Sequence, residues 1–256
     1  MRHFLKQHLP PRPLLHVLAW KNYFFGEPEF RVLRKIVDPK RKAIDIGANR
    51  GLYTYFLARM VPKVYAYEPN PRMVEFLRIS VRSNVDVINL ALSDEVGEAL
   101  LNIPLRSGEE IDGWASLSKD FTNGSCRQVV VRMARLDQQG HSGIGFIKID
   151  VEGHEERVID GASGLIRTDR PMLLVEIEQR HIAKPIQEVF DKILDFGYEG
   201  FFLRGGTLRP LAEFSVQADQ TSLLPALEAG AGGVTYVNNF VFAPRPGNSG
   251  AGLSCA

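Results

Sequence analysis

Two glycines and two carboxylates in the first third of the chain have the residue types and spacing of a cofactor site. Gly47 and Gly51 follow a short apolar run and precede a stretch with helical periodicity. The first glycine permits a tight turn, the second lets the helix pack closely on the strand, and the free N–H groups of the helix face the ligand. Asp45 stands two residues before Gly47. Glu68 ends the next apolar run about 20 residues later, where a carboxylate binds the hydroxyls of a ribose.

The composition of this loop distinguishes between two classes of adenosine ligand. A dinucleotide-binding loop has the pattern Gly-x-Gly-x-x-Gly, but Asn49 and Leu52 occupy its second and third glycine positions. The carboxylate of Asp45 would also repel a pyrophosphate. S-adenosylmethionine has no phosphate and carries a sulfonium and an ammonium, so two carboxylates suit it. The loop therefore favours S-adenosylmethionine over NAD as the cofactor.

A second acidic motif follows an apolar run in the middle of the chain. Strand alternation places Lys148, Asp150 and Glu152 on one side. Because polar residues at the end of a buried strand lie at the mouth of the site, we expect Asp150 to face the transferable methyl group. It would act there as a general base or orient a substrate hydroxyl. The alternative is a structural role at the start of the next helix, which the pattern favours for Glu152, while Lys148 is expected to pair with an acid.

A third polar cluster comes after the next predicted strand. Glu176 and Glu178 share a face, and His181 is a further candidate for taking a proton from a hydroxyl near neutral pH. The competing interpretation is a surface histidine in a loop. Asp150, Glu178 and His181 together also match the oxygen and nitrogen ligands of a divalent cation, but Mg²⁺ sites have no fixed sequence spacing. A divalent metal stays an open alternative, and no metal ligand is assigned.

The remaining histidines and aromatics near these motifs are given structural roles. His141 and His154 are expected in loops, and Phe56 in the core. For Tyr53 the sequence leaves two interpretations open, a wall of the cofactor pocket and ordinary packing.

Alternating strands and helices must position these residues. The strands are predicted at 42–46, 63–67, 85–90, 145–149, 172–177, 198–203 and 236–242, and the helices at 27–37, 52–60, 71–82, 155–167 and 185–196. Residues 91–135 interrupt this alternation and have the pattern of an antiparallel hairpin. The order predicts an α/β fold, a doubly wound and mostly parallel sheet with an antiparallel hairpin insertion. Its ligand site lies beyond the carboxyl ends of the strands.

Composition and charge exclude several classes of protein. The 256 residues are 45% apolar and 24% charged with a net charge of +1, which argues against disorder and against a nucleic-acid partner. No apolar run approaches the roughly 18 residues of a membrane span, and the two distant cysteines, Cys126 and Cys255, form no disulfide framework. We expect a cytoplasmic protein with a lead-in at 1–26, one domain at 27–243 and a flexible tail at 244–256.

Several of these motifs recur together, in one order, in a known family. The chain resembles the FkbM family of methyltransferases over about residues 25–243. The motifs that carry the resemblance are Asp-Ile-Gly-Ala-Asn-Arg-Gly at 45–51, Val-Tyr-Ala-Tyr-Glu-Pro-Asn-Pro at 64–71, Ala-Leu-Ser-Asp at 91–94, Leu-Asp at 136–137 and Phe-Ile-Lys-Ile-Asp-Val-Glu-Gly at 146–153, with Gly-Glu-Pro-Glu-Phe at 26–30 and Asn-Phe-Val-Phe at 239–242.

The resemblance implies a Rossmann-like class I methyltransferase fold, S-adenosylmethionine as the methyl donor, and O-methylation of a sugar, glycan or polyketide-like product. By position, Asp150 lies at the reacting centre, with His181 as a weaker candidate for the base. His154 departs from the family, which often has a small residue there. The resemblance implies that Asp45, Gly47, Gly51 and Glu68 bind the donor, with Ala91 to Ser93 near the adenine. We also expect Asn49 and Pro69 in the donor site.

Two other functions stay open at this point. One is a binding module that holds S-adenosylmethionine without chemistry, and the other, disfavoured by the loop, is an NAD-dependent oxidoreductase. The expected partner is a small-molecule or glycan acceptor, which the sequence does not identify, and the sequence leaves the oligomeric state open. Segments 104–125 and 204–235 match the family least. Residues 107–125, which include Trp114, have the composition of either a lid or a surface loop.

Overall fold

A computed structural model describes residues 9–106, 109–110, 115–117, 126–229 and 235–246 of the chain. The helices are α1 (Pro11–Phe25), α2 (Glu29–Ile36), α3 (Leu52–Leu57), α4 (Pro71–Ser80), α5 (Glu155–Gly161), α6 (Ser163–Asp169), α7 (Gln187–Asp195), α8 (Val216–Asp219) and α9 (Leu224–Glu228). The strands are β1 (Lys42–Ile46), β2 (Val64–Tyr67), β3 (Val85–Ile88), β4 (Ala91–Leu92), β5 (Gly97–Arg106), β6 (Glu109–Glu110), β7 (Cys126–Ala134), β8 (Ile144–Ile149), β9 (Met172–Glu176), β10 (Tyr198–Arg204), β11 (Thr207–Pro210) and β12 (Asn239–Pro244).

A large sheet with the order β11-β10-β12-β9-β8-β1-β2-β3 carries the core. The neighbours from β9 through β8, β1 and β2 to β3 are parallel, whereas β12, β10 and β11 join antiparallel. In the register of the three central strands, Ile46 lies opposite Tyr67 and Ile149. The residues that follow these three positions therefore leave the sheet side by side. This arrangement confirms the prediction of a mixed α/β fold with a mostly parallel sheet.

Helices cover both faces of the sheet because its central strands are apolar on both sides. Ile44 and Ile147 belong to a cluster with α5, α6 and α7, while Ala43 and Phe146 belong to a cluster with α2 and α3. Alternate residues of one strand thus pack into different layers, as expected of a doubly wound sheet. Lys148 lies on the same side of β8 as Phe146 and is completely buried.

The segment between β3 and β8 forms the predicted antiparallel insertion. β5 and β7 pair antiparallel along their whole length, β6 extends one side, and β4 joins β7 in parallel. Residues 115–117 return to this small sheet, where Ser116 bridges to Asn102. Of the segment 107–125, for which a lid and a surface loop were both left open, the structure describes residues 109–110 and 115–117, and Trp114 lies outside the described residues.

The lead-in expected at 1–26 contains an ordered helix. Two prolines stand in the first turn of α1, and Leu14, Leu15 and Ala19 are buried against α3 and α4. The sequence pattern did not show this helix because its other face is also apolar. Val17, Trp20 and neighbouring aromatics are exposed, so the periodicity that identifies a helix is weak.

Other differences from the predicted elements are local. The helix predicted at 155–167 is divided into α5 and α6 beside Gly161, where an added Cβ would lie 1.9 Å from the carbonyl oxygen of Ser93. The segment 204–235, for which no helix or strand was predicted, holds β11, α8 and α9. Of the expected tail, Pro244 belongs to β12, and 247–256 lie outside the described residues. Among the helices described, none has the length and apolar character needed to cross a bilayer.

Candidate functional site

The glycine loop joins β1 to α3 and passes over the end of β8. Gly47 has φ +76°, and a Cβ at this position would lie 1.7 Å from the carbonyl oxygen of Asp150. Only glycine therefore allows the loop to lie this close to β8. Gly51 also has a positive φ, but a Cβ there would meet the side chain of Leu77 on α4 at 2.5 Å. The close packing predicted for the second glycine is thus with a neighbouring helix and not with the strand.

Glu68 links the glycine loop to the end of β2. Its two carboxylate oxygens accept hydrogen bonds from the backbone N–H groups of Asn49 at 2.6 Å and Asn70 at 2.7 Å. Burial raises the pKa of Glu68 to about 7, although these two donors favour the ionised form. A carboxylate has about four lone-pair positions, so two remain for the hydroxyls of a ligand.

Asp45 lies below the loop and is buried. Its carboxylate accepts a hydrogen bond from the hydroxyl of Thr54 on α3. Burial raises the pKa of Asp45 to about 6, while the Thr54 hydrogen bond and the charge of Lys148 act in the opposite direction. The side chain is therefore poised to ionise when a cation binds beside it.

One cavity, which we call the loop cavity, has a volume of about 580 Å³ and lies between the glycine loop, β2, the β3–β4 junction and residues 115–117. Its wall includes five residues that the sequence assigned to the donor, namely Gly47, Asn49, Glu68, Pro69 and Ala91. Its apolar lining comes from Ile46, Tyr67, Leu90, Leu92, Leu101, Ala115, Leu117 and Val151. The insertion thus closes one side of the cavity.

Ser93, also assigned near the adenine, is buried behind this lining. Its hydroxyl donates to Asp94 and lies 3.0 Å from Nε2 of His154. Burial lowers the pKa of His154 to about 4, so this imidazole is neutral at pH 7. His154 lies in the loop before α5, as expected, and it also lines the loop cavity. His141, by contrast, packs on Tyr65 and lies within hydrogen-bond distance of the hydroxyl of Tyr67, and it does not itself line this cavity.

A second cavity of about 1200 Å³, which we call the acidic pocket, opens beside the first. Its carboxylates are Glu27, Asp45, Asp150, Glu152, Glu176 and Glu178, and its basic residues are Arg50 and Arg180. The two cavities share Gly47, Asn49, Asp150 and Glu152 as a common wall. A molecule that extends from one cavity to the other must pass Asp150 and Glu152.

Lys148 provides the positive charge beneath the acidic pocket. Its ammonium lies 3.9 Å from Asp150, 3.8 Å from Glu176 and donates to Oδ1 of Asn239 at 3.1 Å. Burial opposes this charge, but the carboxylates of Asp150 and Glu176 outweigh burial and raise the pKa of Lys148. The same ammonium lies 5.0 Å from the ring of Tyr53, whose edge lines the pocket. Tyr53 is therefore both a packing residue and a wall of the site.

Glu152 and His181 form a buried pair behind the common wall. Nδ1 of His181 lies 2.9 Å from Oε2 of Glu152, and both side chains are largely buried. Glu152 has φ +50° and does not cap α5. At the start of that helix, the carboxylate of Glu155 instead accepts a hydrogen bond from the N–H of Gly153. Glu152 is therefore not the helix cap that was predicted, and His181 is buried rather than on the surface. His181 lines neither cavity and reaches the site through Glu152.

The far side of the acidic pocket consists of residues that sequence reasoning did not assign. Tyr236 donates its hydroxyl to Oε2 of Glu178 at 2.7 Å, and Asn238 donates to Glu176 at 2.6 Å. Glu27 accepts from the hydroxyl of Tyr53 at 2.6 Å. The only sequence signal for Glu27 was its place in the 26–30 motif. Tyr236 had no such signal, because it follows the segment 204–235, which matches the family least.

The residues considered for a divalent cation are engaged elsewhere. Glu178 pairs with Arg180 at 2.6 Å, and His181 pairs with Glu152. Across the part of the chain that the structure describes, no group of three or more His, Cys, Asp or Glu side chains has the geometry to hold a metal ion.

Comparison with known proteins places these features in a family. The family model described as a methyltransferase FkbM domain matches residues 45–199, a range that includes the glycine loop, Glu68, Asp150 and His181. No curated protein matches the sequence.

Solved structures of low sequence identity also align with the chain. Methyltransferase FkbM from Methylobacillus flagellatus KT is 15% identical with a TM-score of 0.48, and the alignment covers 94% of this chain and 57% of that one. The chain thus spans less than two thirds of that protein. A TehB-like SAM-dependent methyltransferase from Corynebacterium glutamicum ATCC 13032 is 11% identical with a TM-score of 0.46, covering 90% and 96%. Precorrin-6y C5,15-methyltransferase from Geobacter metallireducens GS-15 is 12% identical with a TM-score of 0.41, covering 69% and 73%.

Proposed function

The chain belongs to the FkbM family of methyltransferases, and we propose that it transfers the methyl group of S-adenosylmethionine to a hydroxyl of a sugar, glycan or polyketide-like product. The observation that carries the proposal is the common wall of the two cavities. Asp150 and Glu152 border both the loop cavity and the acidic pocket. A donor in one cavity and an acceptor in the other would meet beside these carboxylates.

The loop cavity suits the adenosyl part of the donor. Glu68 has free lone pairs for the two ribose hydroxyls, and the apolar residues of the β3–β4 junction and of segment 115–117 suit the faces of an adenine. His154 contributes a neutral imidazole to this wall, consistent with an uncharged base. The position of Ser93 behind the lining supports a role in holding His154 in place.

The acidic pocket suits the cationic part of the donor. The sulfonium would lie near Asp150, and the ammonium of the methionyl group near Asp45. Carboxylates in a partly buried site attract such cations more strongly than they do in bulk water, because the local dielectric constant is lower. The remaining volume toward Glu176, Glu178 and Tyr236 is then left for the acceptor.

The chemistry in this arrangement is an in-line displacement at the methyl carbon. The acceptor oxygen forms the new C–O bond as the C–S bond breaks, and the thioether leaves without needing a proton, so positioning accounts for much of the acceleration. Asp150 would accept the hydroxyl proton, since it lies in the common wall and its side chain is 32% exposed. Lys148 would hold Asp150 in place, and His181 would position Glu152 rather than contact the acceptor.

Donor binding is tested by thermal melting with S-adenosylhomocysteine, S-adenosylmethionine and NADH. A ligand at 100 times its Kd stabilises by about 2.7 kcal/mol, which shifts the Tm of a protein of this size by several degrees. We expect this shift with both adenosyl ligands, its loss in Glu68→Ala and its retention in Glu75→Ala, an exposed control on α4. A shift with NADH alone would favour the oxidoreductase and refute the proposal.

Chemistry is tested separately with a methyl-labelled donor and a cell extract as the source of acceptor. The proposal requires labelled product with the wild type and its loss in Asp150→Asn. Donor binding without any labelled product would instead identify a binding module. A labelled product that resists O-specific cleavage but carries N- or C-methyl groups would retain the methyltransferase and exclude the hydroxyl acceptor.

A further inference from the structure

The outer face of α1 carries large apolar side chains that the domain leaves uncovered. Val17, Trp20, Phe24 and Phe25 are 38%, 39%, 59% and 85% exposed. The rings of Trp20 and Phe24 stack at 5.8 Å, and those of Phe24 and Phe25 are 6.3 Å apart. We call these four residues the aromatic patch. Side chains of this size are usually buried in a soluble domain, and a contiguous exposed group of them marks an interaction surface.

Positive charge surrounds the aromatic patch. In the described residues 9–26 the charged side chains are Arg12 and Lys21, which are both basic and exposed. Arg31 donates to the carbonyl oxygens of Tyr23 and Phe24, which places its guanidinium at the C-terminal end of α1. At the other end, exposed Arg12 donates to the carbonyl oxygen of Ile79, whose side chain is also exposed. The whole length of the helix thus combines apolar and basic groups.

We propose that α1 binds an anionic lipid bilayer and lies in the plane of its interface. The helix has the two faces that this requires, since Leu14, Leu15 and Ala19 attach it to the domain while the aromatic patch points outward. Aromatic side chains enter the headgroup region, and Lys and Arg are attracted to anionic headgroups. With 15 residues, α1 is suited to lie on the membrane and not to span it.

Charge decides between a bilayer and a second copy of the chain as the occupant of this surface. Two copies meeting through their aromatic patches would bring like charges together, which disfavours self-association. An anionic bilayer complements both the charge and the apolar groups. Phe25 also precedes Glu27, a residue of the acidic pocket, by two positions. Membrane contact at Phe25 would therefore hold the Glu27 side of that pocket near the lipid surface.

The proposal is tested by sedimentation of the full chain with vesicles of phosphatidylcholine, alone or with about 30% phosphatidylglycerol. We expect binding to the anionic vesicles, weaker binding to neutral ones, and a decrease with added salt. The double variant Trp20→Ser/Phe24→Ser should lose at least about tenfold in partition coefficient. The control is Leu100→Ser/Val130→Ser, a cross-strand pair of exposed residues on β5 and β7, which should bind like the wild type.

A spectroscopic measurement locates the contact. The chain has two tryptophans, so Trp114→Phe leaves Trp20 as the only one. Its emission should shift to the blue with anionic vesicles and stay unchanged with neutral vesicles. The proposal would be overturned by an unchanged spectrum or by an equal loss of binding in the Leu100/Val130 control. It would also be overturned if the wild type bound no vesicles and formed a dimer that Trp20→Ser/Phe24→Ser converts to a monomer. Melting curves of both double variants verify that they are folded.

Discussion

The loop cavity and the acidic pocket share a wall, but the chain builds them in different ways. The loop cavity takes most of its lining from one β-α-β-α-β run, from residues that follow β1, β2 and β3 at 46–49, 67–69 and 90–92. The acidic pocket combines side chains from distant segments, with Glu27 before β1, Asp150 after β8, Glu178 after β9 and Tyr236 before β12. Backbone geometry defines the first cavity, whereas long-range contacts between side chains define the second.

The electrostatics of the two cavities differ in the same way. In the loop cavity, the carboxylate of Glu68 accepts hydrogen bonds from two backbone N–H groups. In the acidic pocket, Glu176 depends on side chains for its partners, and burial together with the charge of Asp150 raises its pKa well above the usual value. A cation that enters the pocket would stabilise the ionised form of such groups. The comparison predicts that changes in the loop cavity affect the donor, and that changes across the common wall affect the reaction.

The largest effect is expected at the common wall. Asp150→Asn should lower methyl transfer by about 10²- to 10⁴-fold, because it removes the proposed proton acceptor, and should leave the donor Kd within about twofold. Transfer of a labelled methyl group and calorimetric titration with S-adenosylhomocysteine measure the two quantities. Asp86→Asn, which alters an exposed ion pair with Lys63, is the control. Loss of donor affinity in Asp150→Asn would assign this residue to the donor site.

The backbone of the glycine loop should be the next most sensitive feature. Gly47→Ala forces a Cβ onto the carbonyl oxygen of Asp150 and should destabilise the fold by about 3 kcal/mol while abolishing donor binding. Gly143→Ala is the matched control, because Gly143 has a similar positive φ of +69° but open space around it. It should cost only about 1 kcal/mol, the strain of the backbone alone. Equal losses in urea unfolding would show that the close approach to β8 is unimportant.

The pH dependence of donor binding should separate the buried carboxylates from the rest of the site. Burial raises the pKa of Glu68 to about 7 and that of Asp45 to about 6, and the proposed donor would favour their ionised forms. Affinity should therefore fall as the pH decreases from 7.5 to 5.5, by up to about tenfold for each pH unit below the pKa of each group. Without ligand the sign is opposite, since ionising carboxyls with raised pKa values costs stability as the pH rises through this range.

Calorimetry in buffers of different ionisation enthalpy would measure the accompanying proton release. Glu68→Gln should remove the part of the pH dependence near pH 7, and Glu75→Gln should leave it unchanged. A pH profile that is flat in the wild type would mean that the donor does not contact either buried carboxylate.

The smallest effect is expected on the far side of the acidic pocket. Tyr236→Phe removes the hydrogen bond to Glu178, which is worth about 1 kcal/mol, and should raise the acceptor KM by about fivefold. The donor Kd should not change, because Tyr236 borders the part of the acidic pocket that the proposal leaves for the acceptor. Steady-state kinetics with the acceptor identified from the extract would measure this, with Tyr23→Phe on α1 as the control. A change in donor affinity instead would contradict the placement of the acceptor beside Tyr236.

The fold was largely predictable because its signals are local. β1 has the predicted bounds, and the parallel order of β1, β2 and β8 follows from alternation with helices. α1 was not predicted, because Trp20 and Phe24 place apolar side chains on its outer face and hide its amphipathic period. The break between α5 and α6 was also missed, since it depends on contact between Gly161 and Ser93, which are far apart in sequence.

The residues of the loop cavity were easier to predict than those of the acidic pocket. The grouping of Gly47, Asn49 and Glu68 was predictable because strand-turn-helix geometry brings them together, and all three line the loop cavity. The pairing of Glu152 with His181 was not predictable, because a positive φ at Glu152 breaks the strand alternation that was predicted to continue from β8. Nothing in the local sequence signals that turn.

The strands, the glycine loop and the carboxylates at the strand ends follow from local sequence, because each depends on neighbours within a few residues. Tertiary packing determined which carboxylates meet. It placed Lys148 under Asp150 and Glu176, brought Glu27 and Tyr236 to one pocket, and left the aromatic patch of α1 uncovered. Those outcomes depend on how separate elements pack, and the free energy of packing is shared among residues that no local pattern connects.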